Sequence, residues 1–375
     1  MSEEIPLFEI SWDEEDISNV VQSISRGSYW AKGPFVDQFE TELESYFGAN
    51  YAISVNSGTT ALVTALKACG IGNGDEVIVP SFTFIATANA VKLVGAEPVF
   101  ADIELDTFGL DPASVRSKIT ENTAAIIPVH LYGAPCQIHK LTEIAANHDL
   151  WVIEDAAEAF GATANGDLVG TIGDIAALSF CQNKILPTGE GGAIITDDAT
   201  LAAAISQFSN HGRTEGEYFD SVESGEYVTV GSNYRMADMV AAVGCAQLSK
   251  VDDLIESRQN IAARYHDGLS AVNKINPHKP VEGHDHVYQL YTVLCEDKIT
   301  RSHIINALTA ANISCKIYWD TPVHRNGTFA SEQHQSLPQT EDVSDRVVSL
   351  PMYPTLPLRD VERVVKTIRD ACENI

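Results

Sequence analysis

The chain has 375 residues, 45% of them hydrophobic, which is enough to bury a full core and, by the usual size of a domain, to form roughly two domains. Its 52 Asp and Glu outweigh 24 Lys and Arg, and the resulting net charge of -28 excludes a nucleic-acid partner by repulsion and leaves any anionic substrate to local positive groups. The 7 cysteines form no CxxC pair and fit neither a disulfide framework nor a zinc site, no apolar run is long enough to span a membrane, and MSEEIPLFEI lacks the basic and apolar regions of a secretory signal, so a cytoplasmic location without a metal is expected. The acidic balance matches a salty cytoplasm, where surplus carboxylates keep a protein hydrated, and equally an ordinary acidic enzyme.

Short apolar, β-branched runs occur at Tyr51 to Val55, Glu76 to Pro80, Glu97 to Ala101, Ala124 to Val129, Trp151 to Glu154, Ala176 to Phe180 and Ala193 to Thr196. Helical periodicity fills segments between them, such as Thr59 to Cys69, Ile138 to Asn147 and Thr200 to Asn210. Strands separated by helices predict an α/β fold with a largely parallel sheet covered on both faces, whose ligands bind beyond the carboxyl ends of the strands. A polar loop, Arg213 to Gly231, precedes a helical stretch from Ala237 to about Leu269. His278 to Gly283 reads as a linker-rich loop, and the tail alternates strand (Val287 to Cys295) and helix (Ser302 to Ala311, Leu358 to Cys372). The expected division is a large domain, 1–248, and a smaller C-terminal one, 249–375.

Four local features carry chemistry. In Asn56-Ser57-Gly58-Thr59-Thr60 a strand ends and a helix begins, so free amides and the positive helix end form an anion cup; a plain Ser/Thr N-cap is the bland alternative. Asp155 ends the strand WVIED, where a carboxylate can hold a pyridinium nitrogen protonated or merely cap the next segment. Ser179 and Lys184 sit in SFCQNK, between two apolar segments and ahead of GEGG, and a lysine held there can form an imine with a cofactor aldehyde and then move a proton between two carbons. Phe84, after the second strand, can stack on a planar ring or fill core. An anion cup, a stacking aromatic, a pyridinium carboxylate and an imine-forming lysine, in that order at strand ends, make a complete inventory for pyridoxal phosphate (PLP).

The segments SGTTAL, PSFTFIATANAV, GAEPVFADIELDTFGLDP, IIPVHLYGAP, VIEDAAEAFGA, SFCQNK with TGEGGAIITD, GSNYRM and LPMYPTL resemble the fold type I sugar aminotransferases of the DegT/DnrJ/StrS group. The resemblance implies a large PLP-binding domain with a mostly parallel mixed sheet between helices, plus a smaller α+β domain. It implies Lys184 as the Schiff-base lysine, Asp155 as partner of the ring nitrogen, Gly58, Thr59 and Ser179 as phosphate ligands, and Phe84 as the stacking ring. Asn233, in SNYRM, would reach the phosphate of a neighbouring subunit's cofactor, which implies a homodimer with shared sites. Glu158 stands where many relatives carry Gln or His near the ring oxygen.

EDAAEA, PVHLYG and the NK ahead of TGEGG are most similar to the perosamine synthase branch, which transfers the amino group of L-glutamate, through pyridoxamine phosphate, to C4 of a nucleotide-linked 4-keto-6-deoxysugar. Lys32, Arg213, Arg235 and His324 are the candidate cations for the nucleotide diphosphate, each with a solvated or structural charge as its alternative. Amination of a keto-inositol or a 3-keto sugar keeps the same cofactor site. A sugar dehydratase of the family carries histidine in place of the lysine in one branch, and a non-catalytic sensor needs neither Lys184 nor Asp155. A dinucleotide-dependent sugar oxidoreductase is disfavoured, because Gly70-Ile71-Gly72-Asn73-Gly74 follows a helix and precedes a strand, the reverse of the required order.

Overall fold

The computed structural model describes residues 3–214, 225–330 and 336–373. Two helices open the chain, α1 (Glu14–Ser25) and α2 (Pro34–Phe47). The strands β1 (Tyr51–Val55), β2 (Glu76–Pro80), β3 (Glu97–Ala101), β4 (Thr123–Ile126) and β5 (Trp151–Asp155) then alternate with α3 (Gly58–Ala68), α4 (Ala86–Leu93), α5 (Pro112–Lys118) and α6 (Ile138–Ala146). Two short strands, β6 (Thr163–Ala164) and β7 (Asp167–Leu168), lead into β8 (Ile175–Ser179), β9 (Gly192–Thr196) and α7 (Ala199–Ser209).

The main sheet has the order β1-β9-β8-β5-β4-β2-β3. Only β9 runs against the others: β2, β3, β4, β5 and β8 pair in parallel, while β9 is antiparallel to both β8 and β1. The carboxyl ends of β1, β2, β4, β5 and β8 therefore fall on one edge. The middle strands are buried along their length, as helices on both faces require, with Phe39, Leu43 and Phe180 in the core on one side and Leu62, Leu66 and Val91 on the other. The helical stretch expected from Ala237 to about Leu269 consists of two helices, α8 (Asp238–Leu248) and α9 (Val251–Leu269). The break falls at Lys250, whose ammonium is tied to Asp13 and Asp16 at 2.7 and 2.6 Å.

A second sheet, β10-β12-β13, is antiparallel and consists of β10 (Ile275–Pro277), β12 (Tyr291–Cys295) and β13 (Val347–Leu350), while β11 (His284–Asp285) joins β6. It packs with α9, α10 (Lys298–Ala310) and α13 (Leu358–Glu373), and α11 (Gly327–Ala330) and α12 (Pro338–Arg346) lie in the connection between α10 and β13. Val361, Val364, Val365, Ile368 and Cys372 of α13 bury one helical stripe against this core. The N-terminal Ile5 also belongs to it, through a bridge to Ile313.

The expected strand from Val287 shortens to Tyr291–Cys295, because the amides of Val287 and Leu290 donate to Gly133 O and Tyr132 O and Tyr288 adopts φ 51°. His278, expected in a linker loop, is buried and stacked on Phe108 at 4.6 Å between ring centroids. No helix among the described residues is long and apolar enough to cross a membrane. Of the polar loop, residues 215–224 lie outside the described ones.

Candidate functional site

The anion cup is built where β1 hands over to α3. Ser57 caps the helix, its Oγ accepting the amide of Thr60 at 3.2 Å, so Gly58 and Thr59 remain as helix-start amides with no carbonyl a turn behind them. Gly58 has to be glycine here: a Cβ would lie 2.7 Å from Ser179 Cβ and 3.0 Å from Ser179 Oγ. Gly192 approaches from the other side, where a Cβ would lie 2.6 Å from the Ser57 carbonyl. Three chain segments thus close on one small polar space, with the Ser179 hydroxyl beside the helix end.

Asp155 ends β5 fully buried. Its Oδ2 accepts the Thr87 hydroxyl at 2.8 Å and its Oδ1 the Ala157 amide at 3.3 Å. Burial pushes the carboxyl above its ordinary range, and those two donors and the Lys184 charge only partly oppose the shift. It is a carboxylate short of one positive partner.

Lys184 lies on the loop after β8, which is closed by Cys181 and Gly189: the Gln182 amide donates to Gly189 O and the Lys184 amide to Cys181 O, each at 2.9 Å. Its Nζ is 3.1 Å from Glu158 Oε1, and Glu158 Oε2 accepts the Tyr132 amide at 2.9 Å. Phe84 is 56% exposed and meets Trp319 at 5.6 Å between ring centroids.

Of the predicted cations, Arg235 is brought to the end of β1. It forms a bridge with Val55, and next to it the Asn56 amide donates to Tyr234 O at 2.8 Å. Its Nη1 donates to Asn210 Oδ1 at 2.7 Å, and burial and the Arg213 charge lower its pKa. The Arg213 guanidinium lies 5.7 Å from the Tyr227 ring centroid. Asn233 is exposed on the same strip, its carbonyl 3.5 Å from Asn56 Nδ2. Lys32 is exposed ahead of α2, and its charge acts on Glu40. His324 is 3% exposed with both ring nitrogens engaged, Nδ1 by the Ser81 hydroxyl at 2.6 Å and Nε2 near Glu341 at 3.3 Å, which leaves its ring as a tie between β2 and the connection after α10.

Several neighbours of these groups escaped the sequence. Thr87 and Tyr132 hold Asp155 and Glu158, and a buried pair braces the same strand end: the Cys136 amide donates to His130 Nδ1, so the protonated Nε2 donates to Glu154 at 2.9 Å. Burial works to raise the Glu154 carboxyl, but His130, Gly173 and Gly170 hold it below its usual range. The signal was present in Glu154-Asp155, an acidic pair ending an apolar strand, and in PVH, which follows the neighbouring β4.

A model of the DegT/DnrJ/EryC1/StrS aminotransferase family matches residues 11–369. The chain belongs to this family. GDP-perosamine synthase of Caulobacter vibrioides is 40% identical over 90% of each chain, and the spore coat polysaccharide biosynthesis protein SpsC of Bacillus subtilis is 38% identical over 95% of this chain and 94% of that one. Among solved structures, S. venezuelae DesV in complex with a ketimine intermediate superposes with a TM-score of 0.92 at 35% identity over 100% of both chains. As a DegT/DnrJ/EryC1/StrS aminotransferase, the protein is a PLP-dependent sugar aminotransferase of fold type I, with a sugar nucleotide as substrate and an amino donor. The residues present fit that cofactor: a helix-start cup that a Cβ would fill suits a phosphate, and the undercompensated Asp155 suits a cationic ring nitrogen.

Proposed function

We propose that the protein transfers the amino group of L-glutamate to C4 of a nucleotide-linked 4-keto-6-deoxysugar. The amino group of glutamate and one hydrogen replace the sugar's keto oxygen. The glutamate α-carbon, having lost its amino group and its hydrogen, takes an oxygen from water and leaves as 2-oxoglutarate, so that water is released on one half and consumed on the other. The observation that carries the reading is the set at the sheet edge: Lys184 paired with Glu158 beside a buried Asp155 and an empty-handed helix start. The C4 position is supported by the GDP-perosamine synthases of Caulobacter vibrioides and Escherichia coli O157:H7, 40% and 35% identical. Two other relatives, a dTDP-3-amino-3,6-dideoxy-alpha-D-galactopyranose transaminase and a UDP-N-acetyl-3-dehydro-alpha-D-glucosamine 3-aminotransferase, are 36% and 37% identical and favour C3 as the second reading.

When bound, PLP supplies an aldehyde to carry the amino group and an electron-poor ring that makes the adjacent C–H acidic. The Gly58 and Thr59 amides and the Ser179 hydroxyl would hold its phosphate, Phe84 would pack on its ring, and Asp155 would keep its ring nitrogen cationic. Lys184 Nζ removes the α-proton of glutamate and, on the return half, delivers a proton to the former carbonyl carbon of the sugar. Glu158 keeps that amine in reach. Arg213, whose charge acts on Arg235, and Arg235 itself supply the positive field for the diphosphate.

The reading includes a homodimer in which Asn233 reaches the partner's cofactor. Its support is the exposed Asn233 and an apolar face of α1, where Ile17, Val21 and Ile24 are 52%, 53% and 46% exposed. It also includes the division into domains 1–248 and 249–375, supported by the separate core around β12 and α13. The test is to give the enzyme L-glutamate with GDP-4-keto-6-deoxyhexose and with dTDP- and UDP-linked 3-keto sugars, and to assign the amine by NMR. An amine at C4 of the GDP sugar supports the first reading, an amine at C3 the second, and no aminated product overturns both.

A further inference from the structure

The connection from α10 to α12 comes back over the sheet edge and places Tyr318 and Trp319 beside the site. Trp319 has φ 64°, in the left-handed region that a bulky side chain rarely adopts. Such a conformation persists only where the surroundings over-determine it, and here they do. Four residues on, the Val323 amide donates to Ser81 O at 2.9 Å, and His324 takes up the Ser81 hydroxyl while Arg325 pairs with Glu341 at 2.7 Å. Ser81 is three residues before Phe84, so the segment carrying Trp319 is tied to the strand end that carries the stacking ring.

Three features distinguish Trp319 from ordinary packing. Its ring meets Phe84 at 48° and Tyr318 at 56°, so it continues the aromatic surface past the exposed Phe84 instead of lying flat upon it. Its Nε1–H is buried without an acceptor among the described residues, a state that folded proteins avoid unless something else takes the bond. Its neighbour Tyr318 lies close enough to Asn183, next in sequence to Lys184, and to Glu158 for both to act on its hydroxyl, though burial is the larger influence. The segment therefore touches both the stacking-ring side and the lysine side of the site.

We propose that Trp319 is the specificity-determining wall of the acceptor subsite: the C–H face of the keto sugar's ring packs on the indole, and a sugar oxygen accepts its N–H. A deoxyhexose offers both an apolar face and oxygen acceptors at its edge, which is the combination an indole with an unspent donor matches. Glutamate, smaller and carrying two carboxylates, has no comparable apolar face to set there. The inference rests on the sugar-acceptor reading above and adds the residue that recognises the sugar.

The test separates the two half-reactions. Trp319→Ala and Trp319→Phe are converted with L-glutamate and followed by cofactor absorption, then the aminated enzyme is mixed with whichever of the GDP-4-keto and dTDP- or UDP-3-keto sugars the wild type accepts. The glutamate half also reports that each variant is folded and loaded. Expected is a loss of roughly tenfold or more in the sugar half for Trp319→Ala against less than about threefold in the glutamate half, with Trp319→Phe between, since it keeps an aromatic face and lacks the N–H. Equal losses in both halves, or none in either, overturn the proposal while leaving the aminotransferase reading intact. A wild type that accepts glutamate and none of these sugars overturns the acceptor reading and the wall with it.

Discussion

The Lys184 ammonium stands 3.1 Å from one oxygen of Glu158, and the other oxygen of that carboxylate accepts the Tyr132 amide at 2.9 Å. Glu158 is therefore fixed by backbone at one end and fixes the lysine at the other. Glu158→Gln keeps an acceptor for Tyr132 and removes the charge that orients Nζ. A charge-assisted bond of about 1.5–3 kcal/mol is at stake, so kcat should fall roughly 10- to 100-fold with little change in thermal stability. Glu158→Ala should also lose about 1–3 kcal/mol of stability by stranding the Tyr132 amide. Steady-state kinetics beside thermal melts separate the two effects.

Gly58→Ala should damage both fold and cofactor binding, because its Cβ has no room beside Ser179 at 2.7 Å. Overpacking of this kind costs about 1–3 kcal/mol. Removing the obstructing Cβ in Gly58→Ala/Ser179→Gly should recover the melting temperature but not PLP affinity, since the hydroxyl is gone as well. A PLP titration of both variants decides this; recovered affinity in the double variant would remove Ser179 from the phosphate site.

His278 and His286 give the stability an acid limit. Burial pushes His278 down to about 4 and His286 well below the usual 6.5, and the two rings face Phe108, Tyr288 and each other, with His266 close by. Unfolded, both bind a proton near 6.5, so their contribution is complete above that pH and is lost as pH falls from 6.5 towards 4. Two such groups give a slope of up to about 2.7 kcal/mol per pH unit in the lower part of that window. Asp155 and Glu40, whose carboxyl pKa values burial raises, act in the opposite sense, because they bind protons in the fold at a pH where the unfolded chain has already lost them. Urea unfolding at pH 7, 6 and 5 should show the decline, and His278→Phe should reduce it.

A shared site predicts complementation. Asn233→Ala and Lys184→Ala, each poorly active alone, should recover activity when mixed under conditions that exchange subunits, because one site of the mixed dimer then holds neither lesion. Absence of recovery despite exchange, followed by mass spectrometry of the mixed species, would confine Asn233 to its own subunit.

The strands and the helices between them were legible because a buried parallel sheet writes itself as apolar runs and its turns as Gly, Ser and Asp, although the strand expected at Ala124 to Val129 ends at Ile126. Lys184, Asp155, Ser179 and Gly58 could be named for the same reason: each closes or follows such a run. The interruption at Lys250 was not legible, since no glycine or proline marks it and the Asp13 and Asp16 that hold its ammonium lie more than 230 residues earlier. The burial of His324 was hidden for a similar reason: its partner Ser81 is 243 residues away, and a histidine between Val323 and Arg325 looks solvent-facing until the two segments meet. Trp319 gave no periodic signal at all, because its role comes from a positive φ and from contacts across the sheet edge.

The most direct test of the whole account is the visible absorption of the purified protein given PLP and then L-glutamate, with Lys184→Ala run alongside. Wild type should develop the absorption of the lysine-bound cofactor and lose it to the pyridoxamine form on adding glutamate, and Lys184→Ala should never develop it. A wild-type spectrum that matches the variant's would show that Lys184 does not hold the cofactor, and a lysine-bound spectrum unmoved by glutamate would rule out glutamate as the donor.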